Sequence, residues 1–264
     1  MELQSRGDAL RAQGFGVAAI LYDPQETLRA FSNRWGIEFP LLSDVGSVVI
    51  QRYGILNREA EGTRASGIPY PGTFILDPSG RVVDRVFEPR YQERLTVSSF
   101  ALRLGDSITV PDRDATRVET DHLEVVSYAS DTVVAPGNRF SLILDVMPKT
   151  EMHVYAPGDH TYQVIHLRLD TSNFIQQHAT VYPVSMPYHF EPLNETVPVY
   201  EAPFTFVQEI TISMNDETSE LAQTGDPLII EGTLDYQACD SEICYLPARV
   251  PLRWEFEWRA LVRD

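Results

Sequence analysis

The chain has 264 residues, 43% of them hydrophobic and 22% charged, an ordinary globular balance with room for two domains. A formal net charge of −17 and a pI near 4.7 argue against nucleic acid and anionic membrane surfaces as partners. No apolar run reaches membrane-spanning length, and no basic-then-apolar export leader follows Met1.

Residues 1–13 read as a helix, with Leu3 and Leu10 one heptad apart. The run Phe15-Gly-Val-Ala-Ala-Ile-Leu-Tyr22 is almost continuously apolar, which predicts a strand buried on both faces of a parallel sheet. Asp23-Pro24 starts a second helix, in which Leu28, Phe31 and Trp35 recur at helical spacing. Phe39-Pro-Leu-Leu-Ser-Asp44 is a short extended segment, and a short helix after it runs to Tyr53 and breaks at Gly54. Residues 57–67 are polar and glycine-containing, hence a loop. The runs ending at Asp77 and beginning at Arg81 are joined by Pro78-Ser-Gly80, a hairpin signature. The order helix, strand, helix, strand, helix, hairpin, helix is that of an α/β thioredoxin-like domain over residues 1–104 without its first strand and active-site segment.

Four motifs in this stretch resemble the AhpC/TSA peroxiredoxin-like family: Tyr22-Asp-Pro24, Phe39-Pro-Leu-Leu-Ser-Asp44, Tyr53-Gly-Ile-Leu56 and Pro71-Gly-Thr-Phe-Ile-Leu-Asp77. The resemblance implies a proline before the hairpin strand, here Pro71, with a cis peptide bond. It also implies a reactive cysteine at the start of the first helix. No cysteine precedes Cys239, so a peroxidase of this kind would carry that residue upstream of Met1. The missing strand is expected to leave a gap in the sheet, for the remaining strands to close or a neighbour to fill.

Residues 105–117 mix charge with a proline and have no period, and they read as a connection between domains. Beyond them the period becomes two. Phe140, Leu142, Leu144 and Val146 alternate along one stretch, and Ile165, Leu167 and Leu169 along another. Val250, Leu252, Trp254, Phe256 and Trp258 do so along a third. Phe204-Thr-Phe206 and Ile210-Thr-Ile212 follow the same rule. Turns at Pro136-Gly-Asn138 and Pro157-Gly-Asp159 separate such runs, so residues 118–264 are expected to form an all-β sandwich.

Both cysteines of the chain lie in Tyr236-Gln-Ala-Cys239-Asp-Ser-Glu-Ile-Cys244-Tyr-Leu-Pro247. A dithiol this local can close a small ring, which stabilises a fold by only about 2 kcal/mol. Such a ring is a poor staple and a good reversible switch, although a plain stabilising disulfide or two unpaired thiols in a turn fit the spacing as well. Asp235, Asp240 and Glu242 crowd the cysteines, and the nearest cation in sequence is Arg249. Carboxylates disfavour a thiolate, so a disulfide opened by a partner's thiolate fits better than a low-pKa, peroxide-attacking cysteine.

The Tyr-Gln-x-Cys and Cys-Tyr-x-Pro elements, together with His153-Val-Tyr-Ala-Pro-Gly158, resemble the family of N-terminal periplasmic domains of the thiol:disulfide interchange protein DsbD. The likeness covers roughly residues 118–258. It implies an immunoglobulin-like sandwich, Cys239 and Cys244 as the exchanging pair, a thioredoxin-like redox partner and a periplasmic location. It also implies a cap loop with an aromatic residue over the cysteines, and Phe190 in Tyr188-His-Phe-Glu-Pro-Leu193 is the candidate. Tyr236 and Tyr245 are expected to shape the approach to the pair, or simply to pack at strand ends.

The six histidines are scattered without metal-ligand spacing, and no phosphate loop or serine-nucleophile elbow occurs, so neither a metal nor another cofactor is expected. The sequence leads first to a thiol-disulfide redox protein working through Cys239 and Cys244. An AhpC/TSA-type thiol peroxidase and a non-catalytic scaffold are the alternatives.

Overall fold

The structure is a computed structural model, and it describes residues 2–5, 7–12, 14–87, 93–103, 115–190 and 194–259. The chain divides into two compact units, Met1–Gly105 and Asp106–Asp264. No helix among the described residues is long and apolar enough to cross a membrane.

In the first unit, the stretch read as one N-terminal helix contains α1 (Glu2–Ser5) and α2 (Gly7–Ala12), with Leu10 buried. Strand β1 (Ala19–Leu21) leads to α3 (Gln25–Trp35), which begins after Pro24 and ends at Gly36, whose φ of 62° suits the left-handed stop of a helix. Leu28 is its buried residue. Strand β2 (Leu41–Ser43) pairs in parallel with β1, and α4 (Val48–Arg52) follows. Asp44 holds the start of α4 by accepting the amides of Val49 and Ile50 at 3.1 and 2.8 Å. A single 3₁₀ turn, Arg58–Ala60, interrupts the loop. The hairpin is β3 (Gly72–Leu76) against β4 (Val82–Phe87); β5 (Arg94–Leu95) and α5 (Val97–Arg103) complete the unit.

Two expectations change here. Only Ala19–Leu21 of the first apolar run is strand, and Ile20 is 42% exposed. A strand with one partner belongs to a sheet too narrow to be covered on both faces, so an apolar run alone overstated its burial. No peptide bond among the described residues is cis, so Tyr70–Pro71 is trans. The trans form is the favoured state of an X–Pro bond, and Tyr70 is tied in place by its amide donating to the Ile55 carbonyl at 2.7 Å. The expected break in the sheet is present: β1–β2 and β3–β4 form separate two-stranded sheets.

The first described strand of the second unit is β6 (Thr116–Glu119), whose first two residues fall in the stretch read as a connection; residues 105–114 of that stretch lie outside the described residues. There follow β7 (Leu123–Ala129), β8 (Val133–Val134), β9 (Asn138–Pro148), β10 (His153–Tyr155), β11 (His166–Leu169), β12 (Ile175–Val181), β13 (Met186–Phe190), β14 (Glu195–Tyr200) and β15 (Phe204–Ile212). Then come α6 (Asp216–Thr224), β16 (Leu228–Tyr236), β17 (Ala238–Cys239) and β18 (Ala248–Trp258). One sheet runs β12-β15-β9-β7-β6 and another β11-β16-β18-β8.

The alternating positions meet between these two sheets. Phe140, Leu142, Leu144 and Val146 of β9 and Phe206 and Ile210 of β15 share one buried core with Leu167, Leu234, Val250, Leu252, Trp254 and Phe256. Phe140 and Phe256 touch edge to face at 5.0 Å between centroids. Gly232 lets β11 approach β16 closely, since a Cβ there would lie 2.8 Å from the Arg168 carbonyl oxygen. A third sheet, β13-β14-β10-β17, carries Cys239, and Cys244 joins it through an isolated bridge to Cys239.

Candidate functional site

Cys239 and Cys244 are joined by a disulfide, with Cα atoms 4.1 Å apart. They face each other across the mouth of a tight hairpin. The Asp240 amide donates to the Ile243 carbonyl at 3.0 Å, and the Tyr245 amide to the Ala238 carbonyl at 2.9 Å. Asp240 is why the loop folds this way. Its Oδ1 accepts the amides of Glu242 and Ile243, both at 2.7 Å, and its Oδ2 accepts the Tyr245 hydroxyl at 2.8 Å. Those Ile243 and Glu242 bonds, with the Tyr245 hydroxyl, hold the Asp240 carboxyl below its usual range.

The two sulfurs are not equivalent. Cys239 is 0% exposed, within an apolar cluster of Tyr155, Val197 and Val199, whereas Cys244 is only partly buried at its margin. Strand β10 brings Tyr155 onto both of them: its hydroxyl lies 2.9 Å from Cys239 Sγ and 3.3 Å from Cys244 Sγ. Disulfide sulfurs carry no proton, so the hydroxyl donates. Burial drives the Tyr155 phenol well above the ordinary tyrosine range, with the nearby Tyr162, Glu195 and Tyr188 adding to the shift. It therefore stays a donor at neutral pH.

An aromatic shelf backs Tyr155. Tyr162 stacks on it at 4.2 Å and 3° between planes, and the Tyr162 hydroxyl donates to Glu195 Oε2 at 2.9 Å. Gln237, the glutamine of the Tyr-Gln-x-Cys element, links this shelf to the hairpin. Its Oε1 accepts the Gln163 amide at 3.1 Å, and its Nε2 donates to the Tyr245 carbonyl at 2.9 Å. Arg168 and Arg249 both pair with Asp235, at 3.2 and 3.1 Å. Among the described residues, the hydrogen-bonding side chain on both sulfurs is the neutral Tyr155 hydroxyl.

The residues singled out in the sequence fall in different places. Tyr236 is fully buried in the main core, donating its hydroxyl to Thr120 Oγ1 at 2.9 Å. Tyr245 closes the hairpin and lies 4.6 Å, centroid to centroid, from His122. Phe190 ends β13 opposite Glu195, on the same face as Tyr188; it is Tyr188 that packs on the cysteine cluster. Residues 191–193 of the candidate cap lie outside the described residues. Pro71 belongs to the first unit, before β3. Sequence reasoning passed over Tyr155, although it sits in the quoted His153-Val-Tyr-Ala-Pro stretch. The alternation of His153 and Tyr155 about Val154 was the available signal.

His153 stands opposite Cys239 in the β10–β17 register, 3% exposed, with its ring 4.2 Å from that of Tyr188. Burial pulls its pKa below the ordinary 6.5, against a smaller raising effect from Asp240. A histidine whose folded pKa is depressed binds fewer protons folded than unfolded, so its contribution is intact above about pH 6.5 and is lost as pH falls through the folded pKa. The midpoint of thermal unfolding is therefore expected to drop between pH 7 and pH 5. His153→Phe, which keeps a ring against Tyr188, should flatten that drop; an unchanged slope would assign it to other groups.

Residues 1–85 match the model of the AhpC/TSA family, and this span contains no cysteine. The thiol-disulfide oxidoreductases ResA of Bacillus thuringiensis (strain Al Hakam) and Bacillus anthracis are each 30% identical over 83 residues, 30% of this chain and 41% of theirs. The chain thus spans less than half the length of these relatives. Among solved structures, the N-terminal periplasmic domain of ScsB from Proteus mirabilis is similar at 17% identity and a TM-score of 0.36, over 57% of this chain and 51% of that one. The N-terminal domain of Neisseria meningitidis DsbD in its reduced form follows at 12% identity and 0.34, over 57% and 91%. Residues 1–85 thus match the AhpC/TSA family model, part of the chain is similar to thiol-disulfide oxidoreductases over 83 residues, and a β-rich second unit carries both cysteines.

Proposed function

We infer that the second unit exchanges the Cys239–Cys244 disulfide with the dithiol of a thioredoxin-like partner. The observation that carries this reading is the asymmetry of the pair: Cys244 is partly exposed, whereas Cys239 is fully buried with the Tyr155 hydroxyl 2.9 Å from its sulfur. A partner thiolate attacks Cys244 Sγ in line with the S–S bond. A mixed disulfide forms, and the electron pair of the broken bond leaves on Cys239 as a thiolate, which accepts the Tyr155 O–H. The partner's second thiolate then attacks the partner's own sulfur in the mixed disulfide and releases Cys244. The partner dithiol is oxidised to a disulfide and this chain's disulfide is reduced, with two electrons transferred and two protons ending on Cys239 and Cys244. Each step is reversible, so the same geometry passes electrons either way. A small ring contributes only about 2 kcal/mol to stability, so opening it is compatible with an intact fold.

The test mixes the oxidised protein with reduced thioredoxin and counts free thiols against time. Stoichiometric appearance of the Cys239 and Cys244 thiols, with matching oxidation of thioredoxin, is the expected result. A disulfide that resists strong reductant until the chain unfolds would instead be a structural staple.

A further inference from the structure

The hairpin leaves an open strand edge beside the accessible sulfur. Cys239 and Cys244 are opposed in an antiparallel bridge, and the backbone bonds are made by their neighbours, Asp240 to Ile243 and Tyr245 to Ala238. In such a pair the two opposed residues turn their own N–H and C=O groups away from each other. For Cys239, this outward side faces β10. For Cys244 it faces no strand, and no hydrogen bond among the described residues uses the N–H or C=O of Cys244 or Leu246. Between them, Tyr245 points both its backbone groups inward, to Ala238 and to the Gln237 side chain. Pro247 holds Leu246 extended, since the residue before a proline is steered away from helix. The side chains along this edge are apolar and uncovered: Ile243 is 54% and Leu246 86% exposed.

Resting on the exchange reading above, we propose that the Cys244–Leu246 edge is the docking element for the partner, a thioredoxin-like protein that lays an extended backbone segment beside its thiolate. The partner segment pairs antiparallel with Cys244 and Leu246, as in strand addition, while Ile243 and Leu246 contact its apolar rim. Main-chain pairing fixes the partner's sulfur relative to Cys244 Sγ and asks little of its side chains.

The test compares reduction by thioredoxin with reduction by dithiothreitol, which has no backbone to pair. Leu246→Pro removes the free N–H, and Leu246→Ala keeps it while trimming the side chain. Leu246→Pro is expected to slow thioredoxin about tenfold, near the worth of one main-chain hydrogen bond, and to leave dithiothreitol unaffected. Equal thioredoxin rates for wild type and Leu246→Pro overturn the docking edge while leaving exchange standing. A wild-type protein inert to thioredoxin but open to dithiothreitol overturns the exchange reading itself, and the edge with it. If Leu246→Pro also changes the dithiothreitol rate, amide hydrogen exchange decides instead. In the mixed disulfide trapped between the Cys239→Ser protein and a single-cysteine thioredoxin variant, slowed exchange at Leu246 supports the edge and unchanged exchange overturns it. A wild-type dimer that dissociates on the Leu246→Pro change, with thioredoxin rates unaltered, would assign the edge to self-association and overturn the proposal.

Discussion

Cys239→Ser is expected to leave a thiol that iodoacetamide modifies on the order of a hundred times faster than the thiol left by Cys244→Ser, the ratio that a local opening of about 3 kcal/mol imposes on a buried group. Cys244 is partly exposed, so its thiol meets reagent in the folded state. Cys239 is 0% exposed among Tyr155, Val197 and Val199, and reagent reaches it only when the hairpin lifts. The Tyr155 hydroxyl works the other way by favouring the Cys239 thiolate, but a thiolate of lower basicity is a weaker nucleophile, which cancels about half the gain. Access therefore decides the order. Both variants lose the same ring, about 2 kcal/mol in the chain-entropy description, so loss of the ring itself does not confound the comparison. The Cys239→Ser protein should also accumulate a lasting mixed disulfide with a single-cysteine thioredoxin variant activated as its thionitrobenzoate disulfide: Cys244 displaces thionitrobenzoate, and neither protein keeps a second thiol to resolve the bond. Equal alkylation rates, or trapping by Cys244→Ser instead, would reverse the assignment of attacked and leaving sulfurs.

Tyr155→Phe tests the other half of the mechanism. The substitution removes one hydroxyl and keeps the ring, so the stack on Tyr162 and the packing around Cys239 persist. In the oxidised state the lost bond is to a neutral sulfur, a weak acceptor, and the unfolding midpoint should move little. In the reduced state the lost bond is to a thiolate, and hydrogen bonds to charged groups contribute about 1.5–3 kcal/mol. Exchange with thioredoxin at pH 7 is therefore expected to slow roughly 10- to 100-fold, since each 1.4 kcal/mol is a factor of ten. The sign of the pH effect follows: the hydroxyl favours the charged form of Cys239, so in the reduced protein its removal moves the titration profile of the Cys239 thiol to higher pH. An unchanged profile, with only stability altered, would reduce Tyr155 to a packing residue.

The strands of the sandwich core were legible because their period is two and one face is buried. Phe140, Leu142, Leu144 and Val146 are all 0% exposed, as are Phe206 and Ile210. Helix α6 was passed over, although Asn215 and Gly225 bound it; the Asn215 side chain accepts the Thr218 amide at 2.8 Å, and Gly225 takes a φ of 81°. Its weakly amphipathic polar composition made those cap signals easy to miss among strands. The first apolar run misled in the other direction. Composition reports how oily a segment is, and only neighbours determine whether its second face is covered, as Ile20 illustrates.

At the cysteines, spacing in the chain was enough to bring two sulfurs within ring-closing reach and to mark the hairpin by its acidic turn, since Asp240 acts on residues two, three and five positions away. The environment of those sulfurs was decided elsewhere. Tyr155 lies 84 residues before Cys239, and Glu195 reaches the shelf from another strand through Tyr162. Which sulfur is open, which is buried and which hydroxyl serves them depend on the pairing of β10 with β14 and β17. Local bonds are dictated by neighbours in sequence, whereas burial is a property of what the folded sheets set against each other, and the chain order of the residues carries no distance across a sheet.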